Sequence, residues 1–291
     1  MKQLLILSGK GGTGKTTVAS SLIKISSTKA FADCDVDAPN LHLVMEQATK
    51  PTITDFYGLD VAKINQDKCI SCDLCRQNCR FDAISSNDGY LVDNFACEGC
   101  AVCTLVCPTD AIDMLPRITG NLSLYKNDHV FSAAELLMGS GNSGLLVTQV
   151  KKDLIDNTDA PLAIIDGSPG IGCPVIASIS GVDMVLLVTE PTLSGFSDME
   201  RIIQTSRGFP AKIAVCINKY DLHEENTAKI EKFCKDREIE FVGKIPFDKA
   251  AVSLVNDGLT LVDKDGLSKK AIEDINTNIM NLLYGEEKVW K

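Results

Sequence analysis

The chain has 291 residues, 45% of them hydrophobic and 23% charged, which suits one large soluble α/β domain with a small accessory module. Its 39 acidic and 29 basic residues give a net charge of −10, which disfavours a nucleic-acid partner because phosphate backbones are repelled. No apolar run approaches the roughly 20 residues that cross a bilayer, and residues 285–291 are not a basic amphipathic stretch. We therefore expect a cytoplasmic protein with no membrane contact.

Strand-like and helical segments alternate along most of the chain. The predicted strands are short apolar runs at 4–7, 30–34, 162–165, 184–188, 212–217 and 239–245. The predicted helices have apolar residues at helical spacing, at 17–25, 194–205, 224–235, 248–256 and 271–283. This alternation is typical of an α/β fold with a doubly wound, mostly parallel sheet.

A cysteine-rich repeat interrupts the alternation. The first cysteine run (Cys69, Cys72, Cys75 and Cys79) has the spacing C-x2-C-x2-C-x3-C, and the second cysteine run (Cys97, Cys100, Cys103 and Cys107) repeats it 28 residues later. We predict a main α/β domain at 1–50 and 142–291, and an α+β insert at 51–141. A cysteine module would occupy about 65–115 of the insert, with connecting strands and loops at 52–65 and 115–128.

A glycine-rich segment follows the first predicted strand and reads SGKGGTGKTT from Ser8 to Thr17. It fits GxxxxGK[ST], whose backbone N–H groups hold phosphates at a helix N-terminus. Lys15 is expected to neutralise the β- and γ-phosphates and Thr16 to ligate Mg²⁺. The alternative, an ordinary glycine-rich turn, is disfavoured by the strand before it and the helix after it. The predicted nucleotide-binding residues here are Gly9, Lys10, Gly11, Gly12, Thr13, Gly14, Lys15, Thr16 and Thr17.

The additional Lys10 makes the pattern KGGxGKT, which resembles the deviant Walker-A family of MinD, ParA and nitrogenase iron-protein ATPases. Nearly the whole chain is similar to MinD-superfamily ATPases that contain an inserted ferredoxin domain. In that family the early lysine reaches the nucleotide of a dimer partner. The resemblance implies a homodimer, or a dimer with a close paralogue, that closes on ATP. A solvated loop lysine is the alternative for Lys10.

The resemblance also implies two switch segments with catalytic aspartates. Asp35 lies in DCDVDAPN after the second strand and would orient the attacking water, although spacing leaves Asp33 and Asp37 as competing candidates. Asp166, in DGSPG, would hold a Mg²⁺-bound water. Either Asp35 or Asp166 could instead be a strand-end cap. The predicted catalytic residues are Lys10, Lys15, Asp35 and Asp166.

Base recognition is predicted at Asn218 and near Pro246. The segment from Asn218 to Asp221 reads NKYD and superficially fits NKxD, which reads guanine in other GTPases. In the deviant Walker-A family the matching asparagine contacts adenine, with a loop after a late strand. We therefore predict ATP as the nucleotide.

The two cysteine runs resemble those of two-cluster ferredoxins, in which the fourth cysteine of each run crosses to the other cluster. That resemblance implies one [4Fe–4S] cluster on Cys69, Cys72, Cys75 and Cys107, and a second on Cys97, Cys100, Cys103 and Cys79. Structural zinc is the alternative, and the tight spacing disfavours it. Arg80 replaces the proline that usually follows the fourth cysteine, which leaves ligation intact.

Among the remaining cysteines, Cys34 and Cys216 are expected to be small core residues. Cys173 lies seven residues after Asp166, where the nitrogenase iron protein has a cluster ligand, but the sequence offers no clear second ligand.

The leading functional hypothesis is an ATPase whose dimer closure gates electron transfer to, or contact with, a redox or metallocofactor partner protein. Its basis is the position of the insert between the two switches, at 35 and 166. The alternative is an iron–sulfur or metal-cofactor assembly ATPase that hands a cluster to a client. A spatial-positioning ATPase like MinD or ParA is the weakest candidate, because it needs no clusters.

Overall fold

The computed structural model describes residues 1–45 and 47–285, so the expectation for 286–291 lies outside the described residues. The strands are β1 (Lys2–Leu7), β2 (Ala30–Cys34), β3 (Thr52–Tyr57), β4 (Val61–Ile64), β5 (Ile84–Ser85), β6 (Leu91–Val92), β7 (Ile112–Leu115), β8 (Ile118–Lys126), β9 (Val130–Leu136), β10 (Leu162–Gly167), β11 (Met184–Thr189), β12 (Lys212–Asn218) and β13 (Glu240–Ile245). The helices are α1 (Lys15–Ser26), α2 (Leu74–Gln77), α3 (Val102–Leu105), α4 (Ser143–Asp156), α5 (Cys173–Ile179), α6 (Leu193–Ser206), α7 (Glu224–Asp236), α8 (Ala251–Asn256) and α9 (Leu267–Tyr284).

Within the described residues, nine strands form one sheet in the order β13-β12-β11-β1-β10-β2-β9-β8-β3. All neighbouring pairs are parallel except those of β8, which is antiparallel to β9 and to β3. Strand β10 lies between β1 and β2, so the segments that follow these three strands meet at one edge of the sheet.

Helices cover both faces of this sheet. On one face, apolar side chains of α4, α5, α6 and α7 pack against it, among them Leu146, Val175 and Ile202. On the other face, α1 and α9 pack against it through residues such as Leu22 and Ile275. Burial on both faces explains why the central strands read as continuous apolar runs. The predicted mostly parallel α/β fold is therefore confirmed.

Among the described residues, no helix combines the length and apolar character needed to cross a membrane.

The predicted strands and helices outside the cysteine-rich region are all present, with ends that differ by up to four residues. Strands β3, β8 and β9 fall inside the range 51–141 that the sequence assigned to an insert, yet they are hydrogen-bonded into the main sheet. Within the range 51–141, residues 58–117 form a continuous segment that contributes no strand to the main sheet. We call them the cysteine-rich segment. Helices α4 and α5 were not predicted.

The cysteine-rich segment repeats its backbone as well as its sequence. Helices α2 and α3 begin 28 residues apart, β4 pairs with β7, and β5 pairs with β6. The Asn65 N–H donates to the Ala111 carbonyl over 2.7 Å, and the equivalent Asp93 N–H donates to the Ala83 carbonyl over 2.7 Å. Each half therefore exchanges the same hydrogen bond with the other half, which relates the two cysteine runs by an approximate two-fold axis.

Candidate functional site

The glycine-rich segment joins β1 to α1, and α1 begins at Lys15. Gly12 and Gly14 have φ of 82° and 87°, in the left-handed region that favours glycine. A Cβ at Gly14 would also lie 2.4 Å from Nδ2 of Asn218. The loop therefore requires glycine at position 14 for both its backbone conformation and its packing.

A buried ion pair joins the glycine-rich segment to the end of β10. The Lys15 Nζ donates to Asp166 Oδ1 over 2.6 Å, and the Thr16 hydroxyl donates to Asp166 Oδ2 over 2.6 Å. Burial alone would lower the pKa of Lys15. The negative charge of Asp166, and to a smaller extent those of Asp35 and Asp33, outweighs this effect and raises the pKa above its ordinary value. Lys15 is therefore a fixed positive charge, held by the predicted switch aspartate.

The three aspartates after β2 have different surroundings. Asp33 is fully buried, and its carboxylate accepts the backbone N–H groups of Asp35, Asn40 and Leu41 at 2.9–3.0 Å. Burial, followed by the charge of Asp166, raises the pKa of Asp33 to about 7. Asp33 therefore stabilises the loop that follows β2, and its carboxylate is not available to a ligand in the pocket.

Asp35 faces the phosphate-binding segment, whereas Asp37 is exposed. The Asp35 Oδ2 lies 3.8 Å from Lys15 Nζ. Burial raises the pKa of Asp35 to about 6, although Lys15 opposes the shift. Of the three candidates that spacing left open, Asp35 alone lines the pocket beside Lys15.

A pocket of about 640 Å³ opens over the glycine-rich segment. One side is lined by the loop and α1. The other side is lined by the segments that follow β2 and β10, and by the last two residues of α8. The lining residues include the predicted ligands Lys10, Gly11, Gly12, Thr13, Gly14, Lys15, Thr16, Thr17 and Asp35. The volume and the mixed polar lining fit a nucleotide.

An adjoining pocket of about 290 Å³ brings together the two predicted base-contacting residues, Asn218 and Pro246. Asn218 Nδ2 donates to the Thr13 carbonyl over 2.8 Å, which ties β12 to the phosphate loop. Asp221 Oδ1 accepts the Phe247 N–H over 2.7 Å. The carboxylate that would read guanine in an NKxD motif therefore positions the loop after β13.

Lys219, the lysine of the same NKYD segment, supports the phosphate loop and was missed by the sequence analysis. Its Nζ donates to the Gly12 carbonyl over 3.2 Å and pairs with the Glu190 carboxylate. The one available signal was its position between Asn218 and Asp221. Lys10 lies on the exposed side of the loop, where its Nζ donates to the Ser194 hydroxyl at the start of α6 over 3.0 Å.

Four thiols from both cysteine runs line one pocket in the cysteine-rich segment: Cys69, Cys72, Cys75 and Cys107. This set is the one implied by the ferredoxin resemblance for the first cluster. Burial raises the pKa of Cys75. Burial also acts to raise the pKa of Cys107, but N–H groups of Ala111 and Thr109 outweigh it and lower that pKa overall. Ala111 N–H donates to Cys107 Sγ over 3.3 Å.

The second set, Cys79, Cys97, Cys103 and Cys100, occupies the equivalent places around the approximate two-fold axis. Cys79, Cys97 and Cys103 pack against the same small apolar core, and Cys100 is exposed like its counterpart Cys72. Burial raises the pKa of Cys103, as it does that of Cys75. In neither set, among the described residues, are three or more potential ligands drawn together in metal-binding geometry.

The expectation that Cys34 and Cys216 are core residues is confirmed. Cys34 and Cys216 are buried in the core, and Cys234 is buried on α7. Cys173 is exposed at the first position of α5.

The phosphate loop between β1 and α1, with aspartates after the two neighbouring strands, defines a P-loop nucleotide-binding protein. The family described as the CobQ/CobB/MinD/ParA nucleotide binding domain matches residues 4–262. The chain belongs to this family and is an ATPase of the MinD/ParA type, for which nucleotide and Mg²⁺ binding are expected.

Relatives and solved structures agree with this assignment. The chain is 32% identical to the uncharacterized protein MJ0578 of Methanocaldococcus jannaschii, over 94% of each chain. It is 22% identical to the iron-sulfur cluster carrier protein of Pyrococcus horikoshii, over 97% of this chain and 86% of the relative. The fold is similar to that of the septum site-determining protein MinD of Pyrococcus horikoshii, complexed with Mg-ADP, at a TM-score of 0.59, 17% identity and 99% coverage of both chains.

Proposed function

We propose that this ATPase binds two [4Fe–4S] clusters in its cysteine-rich segment, and that ATP-dependent dimer closure gates their contact with, or electron transfer to, a partner protein. The proposal divides the chain into an ATPase domain, 1–57 and 118–285, and a cluster-binding module, 58–117. It takes ATP rather than GTP as the nucleotide, because Asp221 is engaged by the Phe247 N–H.

In the proposed reaction, a water molecule attacks the γ-phosphorus and the bond to the β–γ bridging oxygen breaks, which yields ADP and phosphate. Lys15 neutralises the phosphate charge, and Thr16 and Asp166 would hold Mg²⁺, which would neutralise further charge on the phosphates. Asp35 orients the attacking water. Lys10 exchanges its contact with Ser194 for a phosphate on the partner subunit's nucleotide, and its exposed position beside the pocket supports this role.

The cysteine-rich segment fits iron–sulfur clusters by its donor chemistry. Thiolates are the ligands such clusters require, and four of them line one pocket although they come from both runs. The N–H donor to Cys107 stabilises the thiolate form of that ligand. When bound, clusters of this type supply single-electron transfer. Cys69, Cys72, Cys75 and Cys107 would hold one, and Cys97, Cys100, Cys103 and Cys79 the other.

We propose that one hydrogen bond links the nucleotide pocket to the strands that hold the cluster-binding module. The Val36 carbonyl, directly after Asp35, accepts the N–H of Leu136 at the end of β9 over 2.9 Å. The module leaves the sheet after β3 and returns to it at β8, and β8 pairs with β9 along its length. Displacement of the Asp35 segment by a bound γ-phosphate therefore acts on the strands to which the module is attached.

The test is the rate at which a soluble reductant reduces the clusters of anaerobic holoprotein, with Mg·ADP and with a Mg·ATP analogue. We expect different rates in the two nucleotide states. A Lys15→Ala variant, which removes the phosphate-binding lysine, should give one rate in both. Equal rates in the two states of the wild-type protein would reject the proposed gating.

A second candidate function is the delivery of a cluster to a client protein. The observation in its favour is the name of the Pyrococcus relatives, iron-sulfur cluster carrier proteins, at 22–23% identity. Incubation of holoprotein with an apo-ferredoxin distinguishes the two functions. Transfer of iron to the acceptor supports a carrier, whereas clusters retained through ATP turnover support gating.

A further inference from the structure

The two cysteine runs are related by an approximate two-fold axis, but they differ in their contacts with the ATPase domain. The difference centres on Arg117, the last residue before β8. Its guanidinium donates to the Asn94 carbonyl, three residues before Cys97, and to the Ser140 hydroxyl over 3.1 Å. Arg117 therefore joins the start of the second cysteine run to residues 137–142, which we call the 137–142 loop.

The ring of Phe95 adds contacts to this connection between the second cysteine run and the 137–142 loop. The Arg117 guanidinium lies 5.7 Å from the Phe95 ring centroid, within the range of a cation–π contact. The ring also lies close to the 137–142 loop, since a Cβ added to Gly139 would lie 3.2 Å from Phe95 Cδ1. The Phe95 N–H is itself held by Asp93 Oδ1 over 2.8 Å. A shift of the 137–142 loop is therefore transmitted to the backbone that precedes Cys97.

The first cysteine run has no equivalent joint within the described part of the chain. The residue 28 positions before Arg117 is Gly89, which has no side chain to reach the ATPase domain. Arg76, which lies within the first run, pairs with Asp73 of the same run. Among the described residues, the hydrogen bonds of residues 66–82 stay within the cysteine-rich segment.

The 137–142 loop is also tied to the nucleotide pocket. It begins directly after Leu136, whose N–H donates to the carbonyl of Val36, the neighbour of Asp35. The Leu137 N–H donates to the Thr119 carbonyl over 2.9 Å, and the Ser140 N–H donates to the Leu137 carbonyl over 2.9 Å. These bonds make the loop a short, internally braced segment between the Asp35 segment and Arg117.

We propose that Arg117 is a positioning residue that couples the nucleotide state to the second cysteine run, and that the first run does not respond directly. This inference rests on the proposed function and makes it more specific. Of the two pseudo-equivalent sites, the nucleotide-gated one holds Cys97, Cys100 and Cys103, and the other presents Cys72 and the exposed Ile70 independently of nucleotide.

The experiment is hydrogen–deuterium exchange of anaerobic holoprotein with Mg·ADP and with a Mg·ATP analogue, read at peptides covering 94–103 and 66–75. In the wild-type protein we expect a nucleotide-dependent difference at 94–103 and none at 66–75. Arg117→Lys keeps the charge but cannot reach both Asn94 and Ser140, and Ser140→Ala removes the loop-side partner without altering the module. Both should lose the difference at 94–103.

The matched control is Arg76→Lys, which alters an exposed arginine within the first run. It should keep the wild-type difference, and all three variants should hydrolyse ATP at the wild-type rate. A difference at 94–103 that survives Arg117→Lys and Ser140→Ala would overturn the role of Arg117 and leave the proposed function standing. Equal nucleotide-dependent changes at both peptides would overturn the asymmetry. No change at either peptide in the wild-type protein would overturn the proposed function itself.

Discussion

The charge balance around Lys15 gives a quantitative prediction. Asp33, Asp35 and Asp166 all act on the buried Lys15, and the Lys15 Nζ lies 2.6 Å from Asp166 Oδ1. At an effective dielectric constant of about 20, that contact alone amounts to roughly 6 kcal/mol, part of which the desolvation of the lysine offsets. We therefore expect Lys15→Met to lower the free energy of unfolding of nucleotide-free protein by about 3–5 kcal/mol at pH 7.5.

The loss should shrink as the pH falls. Lys15 lowers the pKa values of Asp33 and Asp35, so its removal raises both above their values of about 7 and about 6. A carboxyl whose folded pKa is raised favours the folded state at low pH, and this stabilisation is lost as the pH rises through the folded pKa. At pH 5 both groups are neutral in the variant, so we expect a smaller loss than at pH 7.5, with the part due to the Lys15–Asp166 pair remaining.

Urea unfolding followed by circular dichroism, at pH 5.0, 6.0 and 7.5, measures these free energies. The control is Lys24→Met on the same helix, where an exposed pair with Asp263 should contribute under about 1 kcal/mol at each pH. The reasoning is refuted if Lys15→Met is no more destabilising than Lys24→Met, or if its effect is the same at pH 5.0 and 7.5.

Three further predictions concern the proposed roles. Cys107→Ser should remove the cluster of the first run and Cys79→Ser that of the second, as measured by spin quantification of the reduced variants; loss of the cluster of its own run in either case would contradict the crossed ligand sets. Asp35→Asn should lower the ATP hydrolysis rate by about 100-fold with ATP affinity retained, and a near-normal rate would remove Asp35 from the mechanism. Lys10→Ala should keep the holoprotein monomeric with a Mg·ATP analogue in analytical ultracentrifugation, where the wild-type protein dimerises; dimerisation of both would exclude a cross-subunit role for Lys10.

Local sequence patterns predicted the nucleotide-binding half of the molecule well. The run of apolar residues before Ser8, and the glycines and Lys15 after it, specify a strand, a phosphate loop and a helix, and all three are present. The resemblance to two-cluster ferredoxins implied that Cys107 would join the first run, and the structure brings its thiol to the pocket of Cys69, Cys72 and Cys75.

The ends of the cysteine-rich segment were harder to predict, because they depend on pairing between strands that are far apart in the sequence. Strand β9 reads VFSAAEL and pairs in parallel with β2, which lies about 100 residues earlier in the chain. Spacing also could not choose among Asp33, Asp35 and Asp37. The distinction arises from the N–H groups that converge on Asp33 only after the loop has folded.

We propose that nucleotide bound at Lys15 controls iron–sulfur clusters held by eight cysteines. The most direct measurement is an EPR-monitored redox titration of anaerobically purified protein, after iron analysis, with Mg·ADP and with a Mg·ATP analogue. Our account predicts about eight iron atoms per chain and a midpoint potential that shifts for one cluster in the ATP-analogue state. Protein without iron, or two potentials that are identical in both nucleotide states, would contradict it.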